Sequence, residues 1–237
     1  GGYIVAGNSS SNEVIKLDSS GNITWQKYLG GGIVYSIKQT IDGGYVTAGV
    51  KNSSYWVVKL DSTGNITWQK YLGGSGNDTA SSISQTLDGG YIVAGNSFSN
   101  DGDVSGNHGA GDAWVVKLDS TGNITWQKIL GGSGLDAARS IQQTSDGGYF
   151  FAGITQSNDG DVSGHNGGSN DYWAVKLDST GNITWQKCLG GTGNEGAFSS
   201  QITPDGGYVI AGVSDSEDGD AMGNQGENGN YWIVKLQ

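Results

Sequence analysis

The stretch "DGDVSGNHGAGD", Asp101 to Asp112, places oxygen-bearing side chains at nearly regular intervals. Asp101, Asp103 and Ser105 alternate, Gly106 follows, then Asn107, and Asp112 closes the twelve residues. Hard cations take six to eight oxygens, and a glycine in mid-loop allows the sharp turn that brings them together, so the expected ligand is calcium. "DGDVSGHNGGSND" repeats the opening with Asp159, Asp161, Ser163 and Gly164, but its closing Asp171 falls one residue late, with Asn170 in register. A third stretch, "DGDAMGNQGENGN", carries Met222 where the serine should stand and is much weaker. Neither good copy has a bidentate glutamate or flanking helices, so an EF-hand is not implied. The same residue types also make ordinary surface turns.

Other chemistry is thinly represented. His108 and His165 both lie in these insertions without a Cys/His cluster, which argues against zinc. The 23 acidic residues allow many pairings, but a glycosidase site would break a repeat with unique residues. The unique ones, Arg139, Glu195, Glu217 and Glu227, form no recognisable constellation. The glycine doublets of "LGGSG" lack the Lys-Ser/Thr of a phosphate loop. Seven N-x-Ser/Thr sequons, at Asn8, Asn22, Asn52, Asn65, Asn77, Asn123 and Asn182, are candidate glycosylation sites on an exported surface. Asn after Gly is equally good turn chemistry.

The elements that must position these residues repeat. "GGY" recurs at Gly1, Gly43, Gly89, Gly147 and Gly206, and "DSTGNITWQK" begins at Asp61, Asp119 and Asp178 with a near copy at Asp18. Each unit holds four β-like runs, which in the fourth copy are "ARSIQQT", "GGYFFAG", "YWAVKLD" and "NITWQK". "DGG" joins the first run to the second, and "DSTGN" joins the third to the fourth, with Gly64, Gly122 and Gly181 at the position that needs φ > 0. Four antiparallel strands per unit at this period predict an all-β propeller. The chain forms one repeat domain with blades near 33–70, 78–128 and 136–187 and partial blades near 1–27 and 196–237. About five blades close into a ring only if the incomplete ones meet; the alternative is a segment of a longer open array. Trp25, Trp68, Trp126 and Trp185 should pack at the same site in each blade, and Cys188 should be an apolar core residue.

A formal charge of −11 argues against nucleic acid, whose phosphates require a basic face. Nine of the twelve basic residues are repeat lysines in "VKL"- and "WQK"-type runs, read as strand-edge or exposed-face residues. No apolar run is long enough for a membrane-spanning helix, so direct membrane insertion is not expected. The chain opens in mid-pattern without an initiating Met, as a mature product or a fragment would.

The pattern "SIxQTxDGGYxVAG … WVVKLDSxGNITWQKxLGGSGxD" resembles repeats of large secreted or surface-displayed bacterial and archaeal proteins, mostly uncharacterised. That resemblance covers essentially the whole chain and implies a propeller. "LDSTGNITW" is also similar to the Trp hairpin of quinoprotein dehydrogenase propellers and the Asp-box of sialidases, but the Asp-to-Gly spacing differs and neither activity carries over. The expectation is a non-enzymatic structural or display module of an extracellular or cell-surface protein, calcium-stabilised, self-associating through open blade edges. The alternative is a multivalent lectin-like propeller that binds glycans or surface proteins, with Tyr55, Tyr172 and Tyr231 exposed to stack on sugars.

Overall fold

The computed structural model describes residues 1–7, 12–222 and 229–237. They form five antiparallel meanders, three of four strands and two of three. The first sheet holds β1 (Tyr3–Gly7), β2 (Glu13–Leu17) and β3 (Ile23–Tyr28). The second holds β4 (Ile33–Gln39), β5 (Tyr45–Lys51), β6 (Ser54–Leu60) and β7 (Ile66–Leu72). The third holds β8 (Asp78–Gln85), β9 (Tyr91–Ser97), β10 (Asp112–Leu118) and β11 (Ile124–Leu130). The fourth holds β12 (Asp136–Gln143), β13 (Tyr149–Thr155), β14 (Asp171–Leu177) and β15 (Ile183–Leu189). The fifth holds β16 (Glu195–Ile202), β17 (Tyr208–Ser214) and β18 (Asn230–Leu236).

These sheets are propeller blades packed face to face. The middle strands read as continuous apolar runs because neighbouring blades cover both their faces, and Asp112–Leu118 and Asp171–Leu177 are buried throughout. Trp56, Trp114 and Trp173 are wholly inaccessible between blades. Each such ring removes roughly 150–250 Å² from water, worth at most about 4–6 kcal/mol at 25 cal/mol per Å². The hairpin tryptophans fulfil their expected role: Trp25, Trp68, Trp126 and Trp185 meet Tyr45, Tyr91, Tyr149 and Tyr208 edge to face at 5.6–5.7 Å. Cys188 is a buried core thiol, and burial pushes it up to about 12, with Asp171 and Asp136 adding to the effect.

First strands of successive blades adjoin. A bulge between Ala80 and Ser82 interrupts the β8 register, and the Ser82 hydroxyl accepts the Ile141 N–H of the next blade at 3.2 Å.

Two expectations need correction. Tyr55 and Tyr172 are not exposed stacking platforms but fully buried, because their hydroxyls donate to the Trp114 and Trp232 carbonyls of the following blade. Only Tyr231 of the three is open, at 93% exposure. Nor do all the "VKL" lysines lie on exposed faces. Lys59, Lys117 and Lys176 are buried, each ammonium donating to the next residue's carbonyl and to Asp42, Asp88 or Asp146 of a "DGG" turn.

Candidate functional site

The most repeated acids are turn clamps. Asp61 Oδ1 accepts the N–H groups of Thr63 and Asn65 at 2.9 Å and the Thr63 hydroxyl at 2.8 Å. These bonds, the Asn65 N–H first and then the Thr63 hydroxyl, hold Asp61 down to about 2, and Asp119 is held likewise by Asn123 and Thr121. The asparagine amide is tied as well. Asn65 donates to Asp61 and Thr63 and accepts Lys27 of the preceding blade, while Asn123 and Asn182 accept Lys70 and Lys128. The sequons at Asn22, Asn65, Asn123 and Asn182 are therefore exposed but hydrogen-bonded hairpin positions. Asn52 is exposed in the β5–β6 turn at φ +54°, and Asn77 is exposed beside Asp78. Asn8 lies outside the described residues.

The calcium-like insertions connect β9 to β10 and β13 to β14, and the fold divides their ligand set. Asp101 accepts the Ser75 N–H at 2.7 Å and Asp103 the Gly73 N–H at 3.1 Å, so both staple the loop to the strand entry of its own blade. Asp159 and Asp161 do the same with Ser133 and Gly131. Ser105 and Ser163 accept Gln127 and Gln186, and the Asn107 amide donates to the Ser97 and Ser99 carbonyls. The closing residues Asp112 and Asp171 go elsewhere, fully buried at the entry to the next blade. Among the described residues, no three His, Cys, Asp or Glu side chains converge closely enough to hold a metal ion.

Sequence reasoning missed the acids that end "LGGSGxD". Asp78, Asp136 and Glu195 are fully buried, and each accepts two hydroxyls and one backbone N–H. For Asp136 the donors are Thr155, Ser157 and Gly132; for Asp78 they are Ser97, Ser99 and Gly74; for Glu195 they are Ser214, Ser216 and Gly191. A signal existed: an S/T-x-S triplet closely follows each "AG" in "AGNSFS", "AGITQS" and "AGVSDS". At two junctions a second carboxylate joins. Asp112 Oδ2 accepts the His108 N–H at 2.6 Å and lies 3.0 Å from its Nδ1, and Asp171 Oδ2 accepts the Asn166 N–H at 2.7 Å. Burial pushes Asp112 and Asp171 up, and the neighbouring Asp136 and Glu195 push the same way, against these bonds. Asp112 Oδ1, Asp171 Oδ1 and His165 Nε2 are buried without a hydrogen-bond partner, and the last two face each other at the ion-pair distance of 3.9 Å.

Similar clefts recur at blade junctions. One of 630 Å³ is lined by Asp42, Lys59, Asp61, Thr67, Trp68 and Tyr91, and another of 470 Å³ by Asp146, Lys176, Asp178, Thr184, Trp185 and Tyr208.

Blades of this connectivity, with a repeated Trp hairpin and a repeated strand-entry acid, define a β-propeller repeat protein. The chain belongs to the family described as outer membrane protein assembly factor BamB, whose model matches residues 1–145. No curated protein matches the sequence. Among solved structures it is similar to a protein of unknown function from Bacteroides caccae, at TM-score 0.56 and 14% identity over 88% of this chain and 64% of that one. It is also similar to the Dos1 propeller, at TM-score 0.55 and 16% identity over 84% of this chain and 48% of that one. The chain thus spans about two thirds and about half of these neighbours, and at such identities the likeness is one of fold.

Proposed function

We propose that this chain is a non-enzymatic scaffold and interaction module of an extracellular or cell-surface protein, and that it engages further blades of its own repeat type. The observation that carries this reading is the open face of the fifth blade. Tyr231 and Ile233 are 93% and 69% exposed, whereas their register equivalents Tyr55, Val57, Tyr172 and Ala174 are completely buried by the following blade. An incoming blade would cover that face and offer a Trp carbonyl to the Tyr231 hydroxyl, as Trp114 does for Tyr55. The family's description as an outer-membrane assembly factor supports an interaction role at a cell envelope. Sedimentation at rising concentration tests it: the native chain should associate, and Tyr231→Ser with Ile233→Ser should remain monomeric. A native chain monomeric at all concentrations would remove the support.

The recurring Trp/Tyr clefts favour a second reading, a multivalent glycan-binding propeller. Aromatic edges beside Asp, Thr and Lys groups are suited to sugar hydroxyls and ring faces. A glycan array that stays at background with and without calcium would end it.

A further inference from the structure

The junction between the third and fourth blades brings together two fully buried carboxylates whose only ion-pair partner among the described residues is His108. Asp136 already accepts three hydrogen bonds, and His108 occupies Asp112 Oδ2, so both groups are arranged as acceptors. Asp112 Oδ1 is left over. A Cβ placed on Gly131 would lie 2.5 Å from Asp136 Oδ2 and 2.7 Å from Asp112 Oδ1, which bounds the separation of these oxygens at 5.2 Å. Two oxygens bound to one calcium ion at 2.3–2.6 Å span up to about 5 Å. The next junction has a related arrangement: Asp171 Oδ1 lacks a hydrogen-bond donor and shares Gly190 as a neighbour with Glu195 Oε2, and here it is this oxygen that His165 Nε2 faces, at 3.9 Å.

The molecule contains its own control. Between the second and third blades Ser54 holds the register position of Asp112, and there Asp78 keeps its three donors with no orphaned oxygen. The unpartnered oxygens thus occur where a second carboxylate enters, and a buried pair of charges requires a counter-charge. We propose that these two junctions are calcium sites, with Asp112 and Asp136 at one and Asp171 and Glu195 at the other. Each pair supplies charged oxygens from adjacent blades, and water completes the shell. The ligand set differs from the twelve-residue loop: only its closing residues take part, while Asp101, Asp103, Asp159 and Asp161 staple backbone. The ion ties the third, fourth and fifth blades together, which is a stabilising role independent of what the propeller binds.

The test is calorimetric titration of the EDTA-stripped full chain with CaCl₂, with thermal unfolding in CaCl₂ and in EDTA. The expected result is two bound ions per chain and a melting temperature roughly 5–10 °C higher in saturating calcium. Asp112→Asn with Asp171→Asn should abolish both, whereas Asp101→Asn with Asp159→Asn should keep them. Glu195→Gln, a milder change, should reduce the stoichiometry from two to one, which keeps the test decisive if the double variant does not fold. The proposal is overturned by a native chain that neither takes up calcium nor shifts in melting temperature, or by an unchanged response in Glu195→Gln. A chain that ignores calcium but gains stability on mild acidification would also overturn it, since a shared proton would then neutralise each pair.

Discussion

Ser97→Ala tests whether the strand-entry acid organises each blade. Ser97 is fully buried, and its hydroxyl donates to Asp78 Oδ1 while accepting the Ser99 N–H at 3.1 Å. The substitution removes one hydrogen bond to a buried charge, about 1.5–3 kcal/mol, and strands a backbone N–H at about 1 kcal/mol, for a loss of about 2–4 kcal/mol. In a domain of this size that lowers the melting temperature by about 5–15 °C. Urea unfolding should show the same loss as a shifted midpoint with an unchanged slope. Ser99→Ala likewise removes a bond to the same carboxylate and strands the Gly76 N–H, which the Ser99 hydroxyl accepts at 2.9 Å, so it should cost a similar amount, and the double variant should depart from additivity because both hydroxyls serve Asp78. Exposed Ser120→Ala sets the baseline, within about 0.5 kcal/mol of the native chain. A Ser97→Ala variant indistinguishable from that baseline would refute the reasoning.

The Lys–Asp latches predict acid sensitivity. The Lys59 ammonium, then the Thr40 hydroxyl, hold Asp42 down to about 2, so its contribution is present above pH 4 and lost as pH falls toward 2. Because Asp42 is 62% exposed, the latch is worth below about 1 kcal/mol, and Lys59→Met should flatten the stability profile between pH 4 and 2 by no more than that. Cys188, buried and pushed up to about 12, should resist a thiol reagent at pH 8 in the native chain and react at once in urea. Gly122→Ala should destabilise by about 1–3 kcal/mol in urea melts, since its φ is +83° and a Cβ would sit 2.9 Å from Trp68 Cζ3.

Much of the fold could be read from local pattern because each blade is built from near neighbours. Alternation together with β-branched and aromatic enrichment located the strands, and "DGG" and "DSTGN" located their hairpins, since turn chemistry acts within four residues. What escaped depends on contacts between blades. "VKL" lysines look like solvated strand residues until the third strand lies beside the "DGG" turn, which puts Lys117 on Asp88, 29 positions away. Tyr55 looks like a surface aromatic until the next blade presents the Trp114 carbonyl 59 positions on.

The insertions show the same limit at the candidate site. Their spacing suggested one loop wrapping one ion, because alternating Asp and Ser residues imply convergence only if the loop closes on itself. Here the loop serves two neighbours. Its opening aspartates fasten it to the strand entry of its own blade, at Gly73 and Ser75, and its closing aspartate enters the next blade at Gly131. The division follows from length: the β5–β6 connection turns through Asn52 and Ser53 and brings Ser54 to the junction, whereas the longer insertions deliver a carboxylate to the same place. A short connection therefore leaves a lone acid satisfied by hydroxyls, and a long one creates a carboxylate pair in which one oxygen has no hydrogen-bond donor. On this reasoning, repeats of this type that carry the DGDVSG insertion should bind calcium at the following junction, and those with the short turn should not.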